Sequence, residues 1–580
     1  MEITYEKIHC DVLVIGGGGA GLAAAISAAR QGVDVMIVSK GESGKSGATY
    51  YDVAEIGAFN APEPASGDSS ECFYEDIERA SLGMAVPELS RILADRASET
   101  LKYLTSLPGG DAVFERNGEG YQMFQSCFTS KPRAHVMKDH FRPLLEVLRR
   151  EAVRLGVKSR AGITVAELLV KQGVCYGAYG FDMENHEVVV LAKSVILAAG
   201  GAGQLFARNM YPRDVTGDAY ALAYRAGARM ANMEFVQMGI GVAYPFINLF
   251  ENYLWECFPR LENGNGECFL EKYLPEGVTQ KEVLQKKRGH FPFSVRDCSA
   301  YVEIAVQKEI NAGKGNHRGN VFLWLDTPKM WKGLNHQNQF SLMWETTRQW
   351  YHAKGIDIQS QALEIACFAH AVNGGALIDA HAMTSVDGLY AVGEAAAGPH
   401  GADRLGGNMS VASQVFGKIA GEHSAVRAKR MASRPGRGEG AGVTRELEFG
   451  FLSNAGEGNV PHSDFWRSLR LPEGVTMEEM KKWIQMETNK SLLIVRNEAR
   501  LREYIEFLHK LQNRCLEDGN TEKVPTNQMV SLWHMMDTGL LMAQAADGRK
   551  ESRGSHYRED YPELDTEQGK MNIITKMETE

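Results

Sequence analysis

The chain has no CxxC pair among its nine cysteines, no basic leader and no long apolar run, and each absence narrows what it can be. Cysteines at 10, 72, 127, 175, 257, 268, 298, 367 and 515 stand apart, so the usual ligand spacings for iron–sulfur clusters and zinc are missing. No metal site is expected. Scattered thiols of this kind suit a reducing compartment, which predicts a cytoplasmic location. The stretch MEITYEKIHCDVLVIG lacks the basic, apolar and cleavage regions of a signal peptide, so none is expected. No window approaches the ~18 uninterrupted apolar residues of a membrane span, and no transmembrane segment is predicted. Positive charge is not in excess either. The 63 Lys and Arg residues face 73 Asp and Glu, a net charge of −10 that argues against nucleic acid or an anionic membrane as the main partner. What remains is a globular composition, 44% hydrophobic and 23% charged, over 580 residues, enough for two or three domains.

The first chemical motif is near the start. In DVLVIGGGGAGLAAAISAARQGVDVMIVSK, the run Val12–Ile15 reads as a strand buried on both faces. Gly16, Gly18 and Gly21 then form G-x-G-x-x-G, and Gly19 and Ala20 open an alanine-rich helix. The first glycine permits the turn, the second lets backbone approach a pyrophosphate, and the third lets helix and strand pack closely. Phosphates would sit on the helix N-terminus, where free N–H groups and the dipole favour an anion. This predicts a dinucleotide. The second strand ends in Ser39-Lys40, where a simple Rossmann site usually offers an acid to the ribose.

Farther along, GESGKSGATYYDVAE offers glycine-lined backbone to a flat ring, and residues 86–106 and 136–155 carry helical spacing. EVVVLAKSVILAAGG is a second buried strand ending in small residues, among them Ala199 and Gly200. From 232 to 365 the parallel-sheet pattern gives way to more aromatic and charged residues, as in an insertion with its own core. GLYAVGEAA restores the first pattern. The segment RMASRPGRGEGAGVTRE reads as a linker. Beyond it, Leu501, Tyr504, Ile505, Leu508 and Leu511 share one helical face.

The motif LAAGGAGQLF, then TGDAYALAYRAGA, EFVQ, TSVDGLYAVGEAAAGPHGADRLGG and ESRGSHYREDYPE stand in an order that resembles the flavoprotein subunits of fumarate reductase and succinate dehydrogenase. That group includes L-aspartate oxidase and adenylylsulfate reductase, and the resemblance spans nearly the whole chain. It implies an α/β fold: a Rossmann-like FAD-binding domain (1–231 and 366–429) interrupted by an α+β capping domain (232–365). A linker (430–446) and a helical C-terminal domain (447–580) would follow. It implies FAD, with the glycine motif on its pyrophosphate, Glu394 on ribose hydroxyls and Asp218 near the site. Ser39, Lys40, Ser46, Gly47, Ala48, Ala199, Gly200, His400, Asn408, Met409 and Ser410 would also lie against it. In the implied reaction a hydride passes from flavin N5 to one alkene carbon and an arginine gives a proton to the other. Arg296 matches that arginine, and Arg404 and His370 match the carboxylate binders. A guanidinium is a poor acid, its pKa exceeding ~12, so a proton relay is needed behind it. Glu256 and Arg260 are candidates. On the residues alone, Arg296-Asp297 is also readable as a helix-opening surface pair and His370 as a core histidine.

Two departures bear on the substrate. Gly47 and Ala48 stand where covalent members carry a histidine, so non-covalent FAD is expected. Met238-Gly239 stands where dicarboxylate users carry a histidine for the second carboxylate. Fumarate is therefore disfavoured, and an unsaturated carboxylate with an apolar, aromatic or differently polar far end is expected. Trp255, Phe258 and Tyr244 are candidates to line its pocket. A separate iron–sulfur or other electron-donor protein is a possible partner. An adenylylsulfate-reductase-like or amino-acid-oxidase-like enzyme, and an FAD-binding assembly subunit without catalysis, are the alternatives.

Overall fold

The computed structural model describes residues 5–51, 56–250, 252–325, 339–432, 463–517, 526–567 and 569–574. Its main sheet has seven strands. Glu6–Ile15 lies at the centre, parallel to Val35–Ser39 on one side and Glu187–Leu197 on the other. Lys158–Ala161 extends the first edge in parallel. The antiparallel hairpin Thr164–Lys171 and Val174–Phe181 covers the N-terminal part of Glu187–Leu197, and the short strand Leu389–Ala391 pairs with its C-terminal part. Val12, Leu13 and Val14 are fully buried, which is why that run carries no polar alternation. Helix Gly19–Arg30 packs between this sheet and the long helix Asn408–Ala432, and its alanines permit the close approach.

A second, five-stranded antiparallel sheet is built from Val236–Tyr244, Asn248–Leu249, Arg260–Glu262, Val321–Trp324 and Leu363–Val372. The change of pattern seen in the sequence thus corresponds to a change from parallel to antiparallel pairing. The boundary expected at 365 falls inside the strand Leu363–Val372. Helices Met477–Leu492, Glu498–Glu517 and Thr526–Gly548 form the C-terminal part, with Leu501, Tyr504, Leu508 and Leu511 buried as their spacing predicts. The expected linker, 430–446, lies outside the described residues except for the last residues of the helix ending at Ala432. Among the described residues, no helix is long and apolar enough to cross a membrane.

Candidate active site

One cavity of about 1030 Å3 opens where the two sheets meet. One end is the glycine turn. Gly16 has φ +111°, and a Cβ there would lie 2.3 Å from the Ala198 carbonyl oxygen. A Cβ on Gly21 would lie 1.9 Å from the Gly16 carbonyl oxygen, so this glycine serves the strand–helix packing and does not reach the cavity. Helix Gly19–Arg30 starts at Gly18 without a side-chain cap. Its N-terminal donors point into a cradle where a phosphate has room to accept them.

The other nucleotide-side residues gather as the sequence implied. Gly16, Gly18, Gly19, Ala20, Ser39, Lys40, Ser46, Gly47, Ala48, Ala199, Gly200, Asp218, Glu394, Arg404, Met409 and Ser410 all line the cavity. Two do not. Asn408 opens its helix from behind the wall, accepting from Asn60 Nδ2 at 2.6 Å. His400 is 3% exposed, is not among the lining residues, and neither ring nitrogen has a hydrogen-bond partner. Burial, aided by Arg404, pushes it down to about 3, so it is neutral. The backbone there turns the imidazole into the protein.

Lys40, the unexpected cation, donates to Asp218, Thr216 and Ser531, each at 2.8 Å. Asp218 also accepts from His534 Nδ1 at 2.9 Å. Burial acts to raise the Asp218 carboxyl, but Lys40 and His534 outweigh it and hold it well below the usual range. Glu394 is the opposite case. It accepts from the Val372 N–H at 2.9 Å and the Tyr211 hydroxyl at 3.2 Å, yet burial pushes it up to about 7.

At the far end three segments converge. Arg404 is buried; its Nη1 donates to the Leu405 carbonyl at 2.9 Å and its Nη2 to Gln237 Oε1, while Gln237 Nε2 returns a bond to the Arg404 carbonyl at 3.0 Å. Arg404 Nε and His370 Nδ1 are buried without partners. Burial lowers the affinity of Arg404 for its proton, and burial with Arg404 nearby pushes His370 down to about 3. A fixed guanidinium with an unpaired donor beside a neutral imidazole is suited to one carboxylate.

Arg296 lines the same cavity, over the ring of Phe128 at 4.3 Å. Its Nη2 and Nε donate to Asp403 Oδ2 at 2.6 and 3.1 Å, and Ser294 Oγ donates to the same oxygen at 2.7 Å. Asp403 is fully buried, its Oδ1 has no partner, and burial raises its carboxyl against the pull of Arg296. The R-D reading as a helix opening also holds: Asp297 accepts from the Ser299 N–H at 2.9 Å and caps the turn leading into Tyr301–Asn311.

The expected relay is placed differently. Glu256 lines the cavity and stands 3.7 Å from Arg288. Arg260 does not line it; strand pairing with Val321–Trp324 carries it to Glu262, at 2.7 Å, and over the Trp324 ring. The acid that Arg296 touches is Asp403.

Three further expectations need correction. Met238 is fully buried in the core, because alternation along Val236–Tyr244 sends Gln237 and Gly239 to one face and Met238 to the other. The position facing the cavity side is Gly239. Trp255 is buried against Phe250 with ring centroids 5.0 Å apart, and Tyr244 and Phe258 are exposed; none of the three lines the cavity. Phe124, Phe128, Phe250 and Phe291 do.

Residues 11–410 match the model of a family described as FAD binding domain, and residues 478–579 match that of the fumarate reductase flavoprotein C-terminus. A relative from Methanothermobacter marburgensis, one of the subunits of fumarate reductase (CoM/CoB), is 31% identical over 96% of this chain and 95% of its own. The chain belongs to the fumarate reductase flavoprotein family. Another member, L-aspartate oxidase of Bacillus subtilis, is 26% identical, covering 98% of this chain and 94% of that one. The solved structure of Mycobacterium smegmatis Sdh1 in complex with UQ1 superposes with a TM-score of 0.77 at 25% identity, over 98% of this chain and 94% of that one. This flavoprotein is an FAD-dependent oxidoreductase. The glycine end of the cavity fits the cofactor: the cradle at Gly16 leaves no room for side chains, and the helix beside it is uncapped.

Proposed function

We propose that this flavoprotein reduces the carbon–carbon double bond of an α,β-unsaturated carboxylate other than fumarate. The observation that carries the reading is the convergence of Arg404, His370 and Arg296 on a cavity continuous with the nucleotide cradle. Gly16, Gly18, Gly19 and Ala20 would hold the pyrophosphate of FAD, Glu394 its ribose hydroxyls, and Met409 and Ser410 the edge of its ring. Gly47 and Ala48 leave room for the ring and offer it no side-chain nucleophile. When bound, FAD supplies the hydride. Arg404, steadied by Gln237, holds the substrate carboxylate, with His370 as a neutral second donor. Withdrawal of charge into that pair polarises the alkene. Arg296 then gives its proton to the carbon that does not receive the hydride, and Asp403 and Ser294 hold the guanidinium for that transfer.

Electrons are proposed to come from a separate donor, an iron–sulfur protein or a diffusible carrier. The M. marburgensis relative works as one of several subunits, which supports a partner protein. In a stopped-flow experiment, photoreduced holoprotein mixed with a panel of enoates is expected to return to the oxidised spectrum well above the rate in buffer. The reading fails if no unsaturated acid accelerates reoxidation. Arg296→Ala is expected to abolish that acceleration with FAD content unchanged, which separates catalysis from an assembly role.

A further inference from the structure

The wall beside the carboxylate clamp is built by Phe291 over Gly239. A Cβ on Gly239 would lie 2.7 and 2.8 Å from two ring carbons of Phe291 and 3.1 Å from its carbonyl oxygen. The phenyl ring thus takes the space that a side chain at 239 would use. It stands edge-on to His370, with centroids 6.3 Å apart. Its backbone is pinned on both sides: the N–H donates to Cys127 Sγ at 3.3 Å, and the carbonyl accepts from Lys287 Nζ at 2.9 Å. Lys287 is itself fully buried and paired with buried Glu303 at 2.5 Å, so its charge is spent inside the protein.

The cavity surface continuing from Phe291 is apolar, with Phe124, Phe128, Leu249, Phe250 and Pro292 on it. Cys127 adds a thiol that burial keeps protonated. Arg288, the cation nearest this wall in sequence, is half-exposed and stands 3.7 Å from Glu256, which offsets its charge. A second carboxylate placed against Phe291 would lose its water and gain no donor. A hydrocarbon group placed there would lose only unfavourable contact with water.

We infer that the substrate is an α,β-unsaturated monocarboxylate whose β-carbon bears a hydrocarbon group, with Phe291 over Gly239 as the element that rejects a second carboxylate. This rests on the enoate reading above; the transfer is unchanged, hydride to one alkene carbon and the Arg296 proton to the other, with the separate reduced donor restoring the two electrons.

The test compares trans-cinnamate and trans-2-hexenoate with fumarate and glutaconate as oxidants of the photoreduced holoprotein. In parallel, 3-phenylpropanoate and succinate are titrated into the oxidised holoprotein and followed by the visible difference spectrum, a readout that needs no turnover. Hydrocarbon-tailed acids are expected to exceed both diacids about 100-fold in kcat/KM and to bind more tightly. Phe291→Leu is expected to keep the preference, and Phe291→Ala to lower it about tenfold or more with FAD content retained. If 3-phenylpropanoate binds selectively but no enoate is reduced, the pocket stands and the enoate reading falls. Equal or better use of fumarate or succinate overturns the inference. A preference for glutaconate also overturns it, by making Arg288 a second clamp.

Discussion

Asp403 and Arg404 are neighbours in sequence and divide their work. Arg404 faces the carboxylate site, while Asp403 turns back to take two donors of Arg296 on one oxygen. The pairing links residues 107 positions apart, which is why it could not be read from GPHGADRLGGN, although the acid stands in plain view there. A buried carboxylate with one oxygen unsatisfied is tolerated at a cost, and holding the proton-donating guanidinium is the compensation. Asp403→Asn keeps the shape and removes the charge. It is expected to lower kcat by about 10²-fold or more, while FAD content and binding of a saturated acid stay near wild type. Steady-state kinetics beside a difference-spectrum titration check this. His400 shows the reverse limit of reading by motif: its position among glycines suggests contact with the ring, and its burial behind the wall becomes visible only in three dimensions.

At the level of elements, the glycine turn is legible because geometry leaves few residues that fit it. The strand Val236–Tyr244 is not, since EFVQMGIG shows its altered residues but not which face each takes. Alternation settles that, and it puts Gly239 rather than Met238 beside Phe291. Glu394 is likewise set by elements, sitting in the turn after Leu389–Ala391 and receiving the N–H that ends Leu363–Val372. With its carboxyl raised to about 7, it is partly protonated in the cofactor-free protein near neutral pH. Hydroxyl donors on bound FAD favour the ionised form, so binding must release the proton whenever pH lies below about 7. FAD affinity is therefore expected to weaken about tenfold per pH unit below 7 and to level off above it. Reconstitution of the apoprotein across pH 5–8 measures this, and Glu394→Gln is expected to flatten the curve.

Over the whole molecule, ESRGSHYRED is the motif whose role the sequence conceals most. It carries no residue of the cavity wall, yet it braces both arginine segments. The Gly554 carbonyl accepts from the Val295 N–H at 2.9 Å, and Ser555 Oγ donates to the Ala402 carbonyl at 2.9 Å. Arg549 and Arg553 around it are neutralised by buried Glu551, and Arg549 also reaches Glu234 at 2.6 Å. Gly554 has φ +53°, and a Cβ there would lie 2.7 Å from that of Ala402. Gly554→Ala thus combines a left-handed penalty of about 1–2 kcal/mol with a push on the loop that carries Arg404. A lowered melting temperature and a kcat several-fold down are expected, with FAD content preserved.

The separation between that brace and the Phe291 wall has an evolutionary consequence. Charge placement for the reaction is held by the tail and the HGADRLGG loop, while the shape of the far wall depends on a glycine and a phenylalanine from other segments. A lineage can therefore exchange one acid for another by altering the wall alone, inheriting the reactive geometry intact. New substrates become accessible in small steps, none of which passes through an inactive intermediate.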